Sequence, residues 1–191
     1  FLIVAAVGVI AAVKYMPSRE RADLDARYAA GGSDRVALYL NYERQEESGV
    51  YVDGQTYLPA AWVDANLNER FYWDANEEIL VYALPEEIVK SDETTVDEDG
   101  KKILYRDGDA VYLSLALIQK YTDVRLQAYD GEEQKRVFVE NNWDPVTVAD
   151  AAWSAKIRLR GGLKSPIVTE IKRGGTVTVL EQYDNWARVM T

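Results

Sequence analysis

The residues that could do chemistry in this chain are carboxylates and aromatic rings, because it holds no Cys and no His. That removes the usual zinc sites, imidazole-built copper sites, thiol nucleophiles and the Ser-His-Asp triad. Disulfides are likewise absent as a guide to compartment, and a cysteine-free chain fits a Gram-positive cell surface as well as a cytoplasm. Paired carboxylates occur twice, as Glu77-Glu78 and as Glu132-Glu133. Glycoside cleavage needs two carboxylates facing each other across about 5 to 9 Å, one of them kept protonated by burial. Each pair here stands in a predicted hairpin turn, where water keeps acids ionised, so turn chemistry is the expectation. Asp64, Asn66 and Asn68 have the one-three-five oxygen spacing of a calcium loop. Position six is Glu69 rather than Gly and position twelve is Ala75 rather than Glu, which leaves a helix surface and turn. Five Trp and thirteen Tyr are present. Trp62, Tyr72 and Trp73 could line a sugar-binding surface by stacking, but strand alternation sends about half of such rings into cores. No catalytic residue, no metal ligand and no cofactor is expected.

The elements that carry these residues are written twice. Tyr51-Val-Asp-Gly-Gln-Thr-Tyr-Leu-Pro is followed by a short apolar segment and then Phe71-Tyr-Trp-Asp. Tyr105-Arg-Asp-Gly-Asp-Ala-Val-Tyr-Leu-Ser is followed by another, then Leu126-Gln-Ala-Tyr-Asp. The offset of roughly 55 residues suits two copies of one supersecondary unit. In each copy Asp-Gly supplies the positive φ of a tight hairpin. Pro59 stands where a first helical residue would, and Ser114 can cap the second helix. Ala60, Val63 and Leu67 then fall at i, i+3, i+7, while Leu117 and Tyr121, like Ser114 and Ile118, are i, i+4 pairs. A second hairpin closes each copy, and Val36 to Leu40 is a strand candidate ahead of the first. Glu43 to Ser48 reads as a polar loop, and Glu86 to Lys102 as an acidic linker or exposed loop.

The two ends differ in character from this middle. Phe1 to Val13 is uncharged and apolar, thirteen residues against the ~20 that span a bilayer. With no initiator Met, it is read as the truncated remainder of a transmembrane anchor. By the positive-inside rule the basic flank of Lys14, Arg19, Arg21 and Arg27 would be cytoplasmic, in conflict with a wall-facing placement of the later domains. Arg19 to Ala30 reads as a juxtamembrane helix and Gly31-Gly32-Ser33 as a linker. After Asn141 to Pro145 the chain turns to short alternating strands separated by Gly pairs, the pattern of a small β-barrel.

That last stretch resembles the bacterial Src-homology-3-like domain of cell-wall proteins. The matching residues are Ile157-Arg-Leu-Arg with Gly161-Gly162 and Ser165-Pro166, Lys172 through Leu180, and Asn185-Trp186 before Arg188-Val189. The family continues into a further Gly-aromatic-Val strand, so the domain is expected to be C-terminally incomplete. In that family the positions of Tyr183 and Trp186 lie near a barrel rim, which makes them the candidate ligand-binding residues. The duplicated unit resembles the small α+β domain named after the N-terminus of copper amine oxidases, through Asp53-Gly-Gln-Thr-Tyr-Leu-Pro and Tyr72-Trp-Asp. The order of anchor, duplicated unit and barrel is similar to the N-terminal part of membrane-anchored glycoside hydrolase family 18 proteins. That family works through an Asp-x-x-Asp-x-Asp-x-Glu run, which this chain lacks; Asp92 to Asp99 is the nearest cluster and has no Glu at the needed place.

The expected fold is therefore α+β: two hairpin-helix-hairpin units after an N-terminal apolar helix, then a small Src-homology-3-like barrel. The expected division is a truncated anchor (1–16), a juxtamembrane linker (17–33), a first stalk unit (34–90), an acidic linker (91–99), a second stalk unit (100–145) and the barrel (146–191). A net charge of −10 argues against nucleic acid, whose phosphates need a basic face. The resemblance implies a non-enzymatic, single-pass, extracytoplasmic stalk that binds peptidoglycan or another wall glycan and presents a family 18 hydrolase domain. The alternative is a sensor or scaffold ectodomain that binds a protein partner.

Overall fold

The computed structural model describes residues 15–130, 134–143 and 147–190. The chain divides into two compact units. One is Asp25–Trp143; the other joins the two chain ends, Phe1–Leu24 with Asp144–Thr191, as far as these are described.

The larger unit is built on strand β1 (Arg35–Leu40), where Val36, Ala37, Leu38 and Tyr39 are all buried. A strand covered on both faces reads as a continuous apolar run. β1 pairs antiparallel with β2 (Glu43–Val52) and parallel with β10 (Arg136–Glu140). Asn41 and Tyr42 join β1 to β2 with positive φ of 46° and 70°, the backbone of a primed two-residue turn. The segment read as a polar loop, Glu43 to Ser48, is thus strand. Its ladder to β1 supplies backbone hydrogen bonds, and β3 covers only the far end of β2, which leaves its polar side chains in water.

The two copies of the repeat meet at the next pairing. β3 (Gln55–Pro59) runs antiparallel to β8 (Ala110–Ser114), with Tyr57 opposite Ser114, Leu58 opposite Leu113 and Pro59 opposite Tyr112. At an offset of about 55 residues these are equivalent positions exchanged, so a local two-fold axis passes between Leu58 and Leu113. β7 (Leu104–Asp107) forms the hairpin with β8, and the sheet runs β7-β8-β3-β2-β1-β10-β9, with β9 being Arg125–Tyr129. Three further strands, β4 (Phe71–Asp74), β5 (Ile79–Ala83) and β6 (Ile88–Ser91), form a separate sheet. Part of the expected acidic linker is therefore paired β6, whose Ser91 is buried.

Helices α2 (Ala60–Asn66) and α3 (Leu115–Tyr121) follow β3 and β8, and α1 is Leu24–Tyr28. Ser114 caps α3, its side-chain oxygen accepting from Leu117 N at 3.2 Å. Val63 and Ile118 reach the core, where they join Val36, Leu38, Leu58, Leu104, Leu113, Val137 and Val139. Asn68 ties the copies together: its Nδ2 donates to Tyr121 O at 2.9 Å and Thr122 Oγ1 at 3.2 Å, satisfying the end of α3. Asn141 closes the unit, donating to Asn66 O at 3.0 Å and accepting from Asn41 Nδ2 at 2.8 Å.

The smaller unit has two sheets. β14 (Thr176–Gln182) lies between β11 (Thr147–Asp150) and β15 (Ala187–Met190), while β12 (Ala155–Arg158) pairs with β13 (Ile167–Ile171). Residues expected to be juxtamembrane add an edge to β13: Ile167 N donates to Glu20 O at 2.8 Å and Ala22 N to Ile167 O at 2.7 Å. Ile167 is the one buried side chain among the unit's described residues.

These facts correct the expected fold class. The chain is mostly β, with fifteen strands against three helices of five to seven residues among the described residues. The copies of the repeat are not two α+β units in series, because their first hairpins share one sheet and their second hairpins enter different sheets. The helices are single short packing elements on a sheet, too few to set the class. The transmembrane anchor and the single-pass membrane localisation are corrected as well: among the described residues no helix is long and apolar enough to cross a membrane. The apolar run Phe1 to Val13 that carried that expectation lies outside the described residues.

Candidate functional site

Tyr183 and Trp186 come together at the turn between β14 and β15. Tyr183 N donates to Trp186 O at 2.8 Å, closing a tight loop over Asp184 and Asn185. The register shifts between Val179 and Glu181, a bulge of the kind that re-aims side chains at a strand end. Tyr183 is 56% exposed and Trp186 37%. The Tyr183 hydroxyl donates to Glu181 Oε2. That hydrogen bond, with the charge of Glu181 behind it, holds the phenol above its ordinary pKa and so neutral. Glu181 Oε1 also lies 3.6 Å from Arg188 Nη1. A Cβ placed on Gly161 would touch the Trp186 ring at 3.5 Å, so the glycine backbone lies against the indole. The turn thus offers two rings with a fixed carboxylate and guanidinium beside them. In the same unit Trp153 is 75% exposed, and no motif in the sequence singles it out.

The other candidates go to structural roles or elsewhere. Trp62 is buried and its Nε1 donates to Gln45 Oε1 at 3.3 Å, so it belongs to the core rather than to a sugar surface. Glu77 pairs with Lys90 at 3.8 Å and Glu78 with Arg106 at 2.9 Å, both in the β4–β5 turn. Glu132 and Glu133 lie outside the described residues. Asn66 Nδ2 donates to Trp62 O at 2.9 Å and Asn68 reaches the end of α3, so both amides of the calcium-like spacing serve helix ends. Asp92 accepts from Thr94 and Thr95, which lowers its pKa, and Asp97 accepts from Asp99 N and Lys101 N. These are turn-forming carboxylates.

One feature of the larger unit has no counterpart in the sequence patterns. Tyr72, Trp73, Asp64 and Glu69, noted above in separate motifs, line a cleft of about 420 Å³ between α2, β4 and β8. Leu80, Val111 and Asp109 complete its apolar wall and its rim. The guanidinium of Arg106 covers the Trp73 ring at 5.4 Å. The cleft depends on β8 of the second copy meeting α2 and β4 of the first, a pairing that no local pattern announces. Comparison with family models, with curated proteins and with solved structures finds no match to this chain.

Proposed function

We propose that this chain is a non-catalytic module that binds a cell-wall glycan of the peptidoglycan type through the turn at Tyr183 and Trp186. The observation that carries the reading is the pairing of two exposed rings on one turn with the joined Glu181 and Arg188 side chains. A pyranose presents apolar C–H faces and a polar hydroxyl edge. Flat rings with a polar tip serve the first, and a few fixed polar groups serve the second. A unit that buries Ile167 alone among its described residues leaves its other aromatic side chains available at the surface. Glu77, Glu78, Asp92 and Asp97 are engaged in turns and surface ion pairs, which suits binding rather than bond cleavage. In the resembled arrangement such a module would hold a glycoside hydrolase family 18 domain against its substrate.

The test is sedimentation of the purified chain with insoluble peptidoglycan. Trp186→Ala is expected to weaken binding about tenfold or more, the usual consequence of truncating a ring at the centre of a contact. Tyr183→Phe, which keeps the ring and removes the hydroxyl, should weaken it less. Far-UV circular dichroism of both variants separates lost binding from lost folding. Parent protein that stays in the supernatant, or folded variants that sediment like the parent, would overturn the reading.

A further inference from the structure

We infer that the cleft between α2, β4 and β8 is a binding site for a lysine or arginine side chain presented by a peptide segment of a partner protein. The site lies wholly within Asp25–Trp143 and does not rest on the glycan reading. Its volume of about 420 Å³ falls within the usual range of ligand pockets.

The lining is chemically one-sided. Its charged members are Asp64, Glu69 and Asp109, and no described Lys or Arg lines it. Arg106, which lies over the lining residue Trp73, is already committed. Its Nη1 is 2.9 Å from Glu78 Oε1 and its Nε is 4.0 Å from Glu93 Oε1. Among the described residues the carboxylates of Asp64 and Glu69 make no hydrogen bond and no ion pair. They therefore hold unused acceptors at the rim of an apolar pocket.

The walls suit a long cationic side chain. Ala60, Leu80 and Val111 offer apolar surface for a methylene stem, and Tyr72, 63% exposed, offers a ring for the charged head, while the Trp73 ring already carries Arg106. An amino sugar carries the same positive charge but has no methylene stem to lay along the apolar wall. The net charge of −10 adds a long-range attraction for cationic partners.

The probe is the peptide acetyl-Gly-Ala-Lys-Ala-Gly-amide, with its arginine counterpart, followed by ¹H–¹⁵N NMR of the whole chain. The same peptide acetylated on lysine is the neutral control, and the glucosamine trimer represents the sugar class. Saturable shifts are expected at Ala61, at the Trp73 indole and at Tyr112, with a Kd on the order of 1 mM or tighter. The neutral control should give none. Asp64→Asn with Glu69→Gln, both exposed positions, should weaken binding about tenfold. Tyr72→Ala, also exposed, should weaken it independently through the lost ring face. Several results would overturn the assignment: no saturable shift, shifts centred instead on Asp92 to Asp99, indifference to the double variant, or tighter binding of the glucosamine trimer than of either peptide.

Discussion

Asn68 shows how much of this molecule hangs on a single amide. Its Nδ2 holds the last carbonyl of α3 and the Thr122 hydroxyl, and the Tyr82 hydroxyl donates to the same carbonyl at 3.1 Å. Phe71, Tyr82 and Tyr121 pack around this point, with ring centroids 4.2 to 6.3 Å apart. Asn68→Ala would leave a partly buried helix end short of a donor, and the expected cost is about 1–3 kcal/mol of stability. Urea unfolding followed by tryptophan fluorescence measures it, and an unchanged midpoint would show that water replaces the amide freely. Asn68→Asp should cost at least as much, since a carboxylate has no proton to offer the carbonyl and its charge repels the helix end. None of this was readable in the sequence, where Asn68 stood out only for its spacing from Asp64. The partner of Asn68 lies 53 residues away. Arg106 was invisible for the same reason: the Trp73 ring it covers and the two carboxylates it meets come from other elements.

Hairpins and helices were legible because their causes are local. Ser114 caps α3 as its position suggests, and Asp53 and Gly54 take φ of 49° and 78° in the turn that Asp-Gly indicates. The second copy departs in a way only pairing reveals. Asp107 is still in strand opposite Ala110, and the turn is Gly108-Asp109, with Gly108 at φ 60°. The Asp-Gly motifs thus match one residue out of step, while Tyr57-Leu58 and Tyr112-Leu113 match in step and carry the two-fold register. A one-residue slip would have turned every side chain of the strand to the other face, so the apolar pattern outranks the turn motif. Two glycines separate conformational cost from packing cost. Gly54 has open space around its missing Cβ, so Gly54→Ala should cost about 1 kcal/mol through φ alone. A Cβ at Gly49 would stand 2.7 Å from Tyr57 O and 3.1 Å from Leu58 Cδ2, across the β2–β3 pairing. Backbone cannot step aside cheaply, so Gly49→Ala should cost more, about 2–3 kcal/mol. Thermal unfolding of the two variants gives the order, and equal losses would mean that β2 and β3 separate more easily than their ladder implies.

Taken whole, residues 25–143 are one fold made from two copies of a sequence, and the duplication misleads unless the sheets are known. The copies share a sheet through β3 and β8, and β10 of the second copy lies parallel to β1 of the first. The principal core draws Leu58, Val63 and Leu80 from one copy and Leu113, Ile118 and Val137 from the other. A chain cut between the copies would lose both pairings at once. Residues 34–90 alone would bare the open edges of β1 and β3, and residues 100–143 alone would leave β10 without its central neighbour. Neither half could bury enough apolar surface to offset the ordering of its backbone. The expected result is that 25–143 unfolds in one cooperative transition, while 34–90 and 100–143 each give a broad, non-cooperative melt. Mixing the two halves should restore near-ultraviolet dichroism, because the twofold pairing of Leu58 with Leu113 is available between separate chains. A sharp transition in either half alone would contradict this and return the two copies to independent units in series.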